Sequence, residues 1–283
     1  MTLSTRRALG VMALMCLVSA PSASTVTASP LPSVTDQPIL VIGASYANGK
    51  LPFDDDLQAP FGGLSVFSGS YLSEGDALVR KGSFVINEAQ AGATTFDRPW
   101  CLDHVCLGVG WQGYATQLHK AAARVAIPSP VNPTQVLGYN ASYVYISMAN
   151  DCLHSGAAGV PQLASAPCSP AEVEAFVDRV ISVGEDAMDL GLVPIFPRYP
   201  DYDDVDLATQ GVATGLTWWV SEPQWNAIST AYETRIADEL PGAILVDVWK
   251  GLETLPDGLH PTPKSAQKAA KRILDAIAEY EGH

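Results

Sequence analysis

The chain has 283 residues, a formal net charge of −14 and 47% hydrophobic residues. That length and apolar content support one substantial core, and one large domain is favoured over two. The acidic balance excludes electrostatic capture of nucleic acid, whose phosphates would be repelled, and selects no other partner by itself.

In chain order, residues 1–32 read as a removable signal peptide and flexible leader. Arg6 and Arg7 precede an apolar run over 8–20, and a small-residue, Pro-containing stretch follows. The run is too short for a comfortable membrane span. Val18-Ser19-Ala20 and Val26-Thr27-Ala28 both fit a cleavage site, and Thr5-Arg6-Arg7-Ala8-Leu9 has a faint twin-arginine character. Cys16 follows Leu14-Met15, a poor context for lipid attachment. The expectation is an exported protein, secreted or periplasmic, with residues 33–283 as its domain.

Residues 37–42 (QPILVI) predict a buried first strand that ends at Gly43-Ala44-Ser45. Residues 50–80 are rich in Gly, Asp and Ser, with a short helix expected near 74–80. Residues 83–87 (SFVIN) predict a second strand, and a Gly/Thr loop follows. Residues 99–110 are expected to form an irregular insertion. Residues 113–125 have helical spacing, and 128–133 is a proline breaker cluster. Residues 142–147 (SYVYIS) predict a third strand running into Met148-Ala149-Asn150-Asp151. A small-residue loop precedes an amphipathic helix over 170–190, which Gly191 ends. Residues 192–196 predict a fourth strand, and 198–217 an acidic, aromatic loop. Ser221-Glu222-Pro223-Gln224 has the pattern of a capping box and opens a helix to about residue 240. Residues 243–248 (AILVDV) predict a fifth strand. The last helix spans 262–280, with Ile273, Leu274 and Ile277 on its apolar side.

Setting Cys16 aside leaves Cys101, Cys106, Cys152 and Cys168. An even number in an exported chain points to disulfides. Three pairings are possible, and the two short loops, Cys101–Cys106 and Cys152–Cys168, are favoured. Metal binding lacks a C-x-x-C pattern or a neighbouring set of histidines. Five buried strands separated by helices predict a single doubly wound α/β domain, with a parallel sheet and helices on both faces. In such sheets, sites gather beyond the carboxyl ends of the strands.

Asp257-Gly258-Leu259-His260-Pro261 places a carboxylate three residues before an imidazole on a tight turn. Asp257 can accept from one ring nitrogen of His260 and leave the other free to take a proton, which is two thirds of a nucleophilic triad. Ser45, just past the first strand, supplies a hydroxyl. The blander alternative makes Thr262 the N-cap of the last helix, Pro263 its first residue, Ser45 a helix cap, and Asp257 and His260 loop surface.

Four blocks together resemble the SGNH hydrolases, the GDSL-type esterases and lipases. They are Val41-Ile42-Gly43-Ala44-Ser45, Asn87-Glu88-Ala89-Gln90-Ala91-Gly92, Ala149-Asn150-Asp151 and Asp257-Gly258-Leu259-His260-Pro261. The resemblance implies a flavodoxin-like α/β fold and carboxylic ester hydrolysis. Ser45 would be the nucleophile, His260 the base and Asp257 its orienting acid. The N–H groups of Ser45 and Gly92 and the Asn150 amide would form an oxyanion hole. No metal or organic cofactor is implied, and the partner would be a small-molecule, lipid or glycan ester. The chain departs from the family pattern at Ala44, where Asp is usual, and at Met148, where Gly is usual.

Several alternatives stand beside this. An ordinary α/β-hydrolase could use Asp247 as acid, but its G-x-S-x-G elbow would need Gly where Ala47 stands. Carbohydrate deacetylation, lipase or lysophospholipase action, and thioester cleavage are open on the same triad. A non-catalytic glycan- or lipid-binding protein of this fold is a further class. Asp201, Asp203, Asp204 and Asp206 could attract calcium, although a solvated loop fits their spacing better. Asp54, Asp55 and Asp56 read as surface. Trp218, Trp219 and Trp225 could line a groove or pack in the core. His104, His119, His154 and His283 have no constellation around them.

Overall fold

The computed structural model describes residues 37–49, 71–102, 105–149, 151–153, 167–214 and 217–282. The expected leader, Asp54 to Asp56, His104, Asn150, His154 and His283 lie outside the described residues. The elements run β1 (Ile39–Ile42), α1 (Ser45–Asn48), α2 (Glu74–Arg80), β2 (Val85–Asn87), β3 (Arg98–Leu102), β4 (Val105–Trp111), α3 (Tyr114–Arg124), β5 (Ala126–Pro128), β6 (Val136–Tyr139), β7 (Tyr143–Ile146), α4 (Pro170–Asp189), β8 (Val193–Pro197), α5 (Leu207–Thr214), α6 (Glu222–Glu239), β9 (Ile244–Val246) and α7 (Pro263–Tyr280).

Five strands pair in the order β2-β1-β7-β8-β9, all parallel. Ile39 sits between Val85 and Tyr143 in register. β1 and β7 are buried along their whole length, so both read as unbroken apolar runs rather than alternating ones. Helices α3, α4 and α6 pack against one another in one layer, and α2 packs against α7 in the other. This is the doubly wound α/β sheet expected from the sequence.

The helices start where side chains satisfy their first N–H groups. Ser169 and Glu172 form a capping box ahead of Pro170 at the head of α4. Gln224 reaches back to the Ser221 N–H at 2.9 Å before α6. Thr262 caps α7 by accepting the Ser265 N–H, with Pro263 in the first turn. In α4 the buried stripe Phe176, Val177, Val180, Ile181, Val183, Gly184 and Ala187 follows helical spacing and faces the sheet. No helix among the described residues is long and apolar enough to cross a membrane.

Three segments differ from expectation. Residues 99–110 are no irregular insertion: β3 and β4 form an antiparallel hairpin, with Cys101 opposite Cys106 in the backbone register. The breaker cluster at 128–133 is the turn of a second hairpin, β5–β6, whose Ile127, Val136 and Leu137 face solvent. The acidic loop holds a 3-10 turn (Tyr202–Asp204) and the helix α5. Asp206 opens α5 by accepting the Thr209 N–H at 3.0 Å.

Glu74, in the first turn of α2, is completely buried. Its carboxyl accepts from the Tyr145 hydroxyl and from Ser147 Oγ at 2.6 Å, both at the end of β7 or just past it. Burial pushes its pKa up to about 7, and the hydrogen bonds from Ser147 and Tyr145 only partly oppose the shift. A carboxyl whose pKa is raised on folding stabilises the fold fully below its unfolded value of 4.5 and loses that contribution as pH rises through about 7. Relative to Glu74→Gln, the wild type is therefore expected to lose on the order of 2–3 kcal/mol between about pH 5 and about pH 8. Urea unfolding of both proteins across that range measures it. Parallel pH profiles would mean that Glu74 folds ionised.

Candidate functional site

Ser45 lies two residues past β1, after Gly43 and Ala44, as the first residue of α1, so its N–H precedes the helical ladder. The turn depends on Gly43. Its φ is 137°, and a Cβ there would lie 2.6 Å from Ser147 Cβ on the neighbouring strand's extension. The family-like Asp is absent at Ala44, which heads α1 without a side-chain cap. Other groups order the turn instead. Gln117, fully buried on α3, accepts the Gly43 N–H at 2.7 Å. The Tyr71 hydroxyl donates to the Ser45 carbonyl. Asn48 Nδ2 donates to Ala89 O at 2.7 Å.

His260 comes from the turn between β9 and α7. Its Nε2 lies 2.9 Å from Ser45 Oγ, and its Nδ1 lies 2.5 Å from Asp257 Oδ2. With Nδ1–H donating to the carboxylate, Nε2 is the acceptor facing the serine hydroxyl. Asp257 Oδ1 accepts the N–H groups of Leu259 and His260, each at 3.0 Å. Asp257 and His260 are both 2% exposed, and Ser45 9%. Burial alone would raise the Asp257 pKa, but the hydrogen bond and charge of His260 and the two N–H donors hold it below the usual carboxylate range. Asp257 is thus an ionised partner for the ring.

The turn itself is tightly determined. Leu255 N–H donates to His260 O at 2.7 Å, and Gly258 N–H to Leu255 O at 2.9 Å. Gly258 has φ 79°, and a Cβ there would fall 2.4 Å from Asp206 O. Asp206 N–H in turn donates to Gly258 O at 2.7 Å, so the acidic segment buttresses the histidine loop. Tyr46 ties the loop to the serine helix by donating to Leu259 O at 2.8 Å. The capped helix start at Thr262 and the Ser45–His260–Asp257 contact coexist; neither displaces the other.

β1 and β7 flank the point where the strand order reverses, with β2 outside β1 and β8 outside β7. Gly92 follows β2 at φ 79°, and its segment is stitched to the serine turn by Gln90 N–H donating to Gly43 O at 3.0 Å. Arg98, 1% exposed, donates to Gly92 O and stacks over Trp111 at 4.9 Å. Asp151, next to Asn150 in sequence, is buried and accepts from Thr95 N–H and Oγ and from Arg179. This carboxylate pins the loop after Gly92 to the turn after β7. Met148 packs in the core, and its carbonyl accepts from the Tyr114 hydroxyl at 3.1 Å.

Other candidates separate from this cluster. Asp247 is exposed, and the partner of His260 is Asp257. Trp225 is a core residue whose indole donates to Pro200 O at 2.9 Å. Trp219 borders a cavity of about 380 Å³ with Val173, Val220 and Ile228, lined by none of the three residues Ser45, Asp257 and His260. Cys152 and Cys168, also at that cavity, form a disulfide. Asp204 accepts the Leu252 N–H, and Asp201 and Asp203 are exposed. His119 is exposed near Asp186.

Among solved structures, the chain is similar to a carbohydrate acetylesterase family member from Sinorhizobium meliloti, at 14% identity and TM-score 0.52, over 87% of this chain and 100% of that one. It is also similar to a candidate arylesterase from Agrobacterium tumefaciens str. C58, at 14% identity and TM-score 0.51, over 86% of this chain and 99% of that one. What is shared is the fold, a five-stranded parallel sheet with helices on both faces. No family model matches the sequence, and no curated protein matches it. Likeness at this identity concerns the fold; the roles of the residues rest on their own geometry.

Sequence motifs found Ser45, Asp257 and His260 but not Tyr46, Tyr71, Gln117, Thr95 or Arg179. These act by contact across 28 to 213 positions of chain, apart from Tyr71 with Ser45 at 26. Gly258→Ala is expected to cost about 2–4 kcal/mol, from the left-handed backbone and the collision with Asp206. A thermal melt measures it; an unchanged midpoint would show that the turn tolerates a side chain.

Proposed function

We propose that this protein is a carboxylic ester hydrolase that works through an acyl-enzyme on Ser45. The contact that carries this reading is the 2.9 Å approach of His260 Nε2 to Ser45 Oγ, with Asp257 on the opposite ring nitrogen. Ser45 Oγ attacks the ester carbonyl carbon while its proton passes to Nε2. The C–O bond to the alcohol breaks, and the alcohol leaves with the proton from Nε2. Water then gives a proton to Nε2 and attacks the acyl carbon. The acid is released, and Ser45 Oγ regains its proton. Asp257 remains ionised and stabilises the imidazolium at each stage.

The developing oxyanion would be met by the Ser45 and Gly92 N–H groups and the Asn150 amide. A positive-φ glycine brings backbone close to a small anion, and an amide donates without competing for the base. None of these steps requires a metal or an organic cofactor. The protein would act after export, secreted or periplasmic, on a small-molecule, lipid or glycan ester. The carbohydrate acetylesterase family member makes acetylated sugars a first choice for the acyl panel.

Ser45→Ala is expected to lower kcat/KM for p-nitrophenyl acetate by at least about 10³-fold, and Asp257→Asn by about 10³- to 10⁴-fold, without loss of folding. Equal hydrolysis by wild type and Ser45→Ala would sink the mechanism. So would fluorophosphonate labelling at another serine. An inert wild type across esters of varied acyl length would favour the binding-protein alternative.

A further inference from the structure

The proposed reaction makes His260 cationic once in acylation and once in deacylation. That cation forms in a largely desolvated setting, since the residue is 2% exposed. Asp257 meets only one edge of the ring, at Nδ1. Two tyrosine rings stand beside the imidazole. The Tyr71 ring centroid lies 4.7 Å from that of His260, inclined at 40°, and the Tyr46 ring centroid lies 5.8 Å away, inclined at 48°. Both lie within the roughly 6 Å at which an aromatic quadrupole attracts a cation.

Neither ring can turn away. The Tyr71 hydroxyl is bound to the Ser45 carbonyl, and the Tyr46 hydroxyl to Leu259 O at 2.8 Å. Tyr46 is braced from behind by Trp249, at 5.0 Å between centroids. Burial, aided by the charges of Asp257 and Glu74, raises both phenols well above their ordinary pKa, so the rings stay neutral donors. Each tyrosine thus holds one of the two segments by its hydroxyl and offers its ring to His260. Tyr71 grips the serine segment and Tyr46 the histidine segment.

We infer that Tyr71 and Tyr46 form an aromatic clamp on His260 that stabilises its imidazolium form and keeps Nε2 directed at Ser45. They are positioning residues, because they act through His260 and not on the substrate. The inference rests on the ester-hydrolase reading.

The test is a series at Tyr71, assayed with p-nitrophenyl acetate beside Ser45→Ala. Tyr71→Phe keeps the ring and loses only the bond to Ser45 O, and is expected to lower kcat by less than loss of the ring does. Tyr71→Leu removes the ring and is expected to lower kcat by about tenfold, with KM within about twofold. If Tyr71→Leu fails to fold, the ring can be weakened without changing its shape. Mono-, di- and trifluorinated phenylalanine in place of Tyr71 is then expected to lower kcat stepwise towards the Leu value, because each fluorine withdraws charge from the ring face. A structural role for Tyr71 would leave that series flat. A flat series, with hydrolysis still dependent on Ser45, would overturn the clamp and leave the ester-hydrolase reading intact. Full activity in Ser45→Ala would remove both.

Discussion

Ser45 and His260 stand 215 positions apart in the chain and 2.9 Å apart in space, and a hydrogen bond tolerates an error of only a few tenths of an ångström. The sheet supplies the coarse placement, since β1 and β9 deliver their carboxyl ends to the same edge. It cannot supply the fine placement, because two strands, β7 and β8, lie between them. That is done by contacts between the turns: Tyr46 to Leu259, Asp206 to Gly258, Gly43 to Gln117 and Tyr71 to Ser45. Each joins the Ser45 turn or the His260 turn to a neighbouring segment. A site assembled in this way is as rigid as its least constrained turn, which is why two glycines stand where backbones meet most closely.

Ala44 is informative in the same terms. In the sequence it is a departure from the SGNH-like pattern, in which Asp is usual. In the fold, the position is buried and heads a four-residue helix without a cap. The order that a capping carboxylate would provide comes from three groups distant in sequence, on α3, before α2 and after β2. A motif records one solution to a local requirement. The requirement here is a fixed Ser45 backbone, and tertiary hydrogen bonds meet it equally well.

The parallel sheet was legible because burial on both faces leaves an unbroken apolar run, as in 39–42 and 143–146. Asp257 and His260 were legible because the carboxylate and its ring lie within one turn. The β5–β6 hairpin was not, because Ile127, Val136 and Leu137 face solvent and its prolines read as breakers. Helix α5 was hidden in an acidic stretch whose charges resemble solvated loop, although Asp206 is its cap. Tyr46 and Tyr71 were invisible for another reason. An aromatic residue near a catalytic one in sequence is no more remarkable than any other until the partner, two hundred positions on, is brought against it. The tryptophans divide between the two roles open to them, Trp225 in the core and Trp219 at a cavity apart from Ser45, Asp257 and His260.

Two buried carboxyls at the same end of the sheet finally show what the surroundings contribute. Glu74 and Asp257 both lose solvation, and desolvation is the largest influence on each. Glu74 is offered two neutral hydroxyls, which cannot balance a buried charge, and its pKa rises to about 7. Asp257 is offered two N–H groups at the head of a tight turn and an imidazole that can become a cation, and its pKa falls. The difference lies in the number and kind of donors and in depth, Glu74 being the more deeply enclosed. Asp257 thus owes its ionised state first to His260 and then to the two N–H groups that the turn, with Gly258 at positive φ, aims at it.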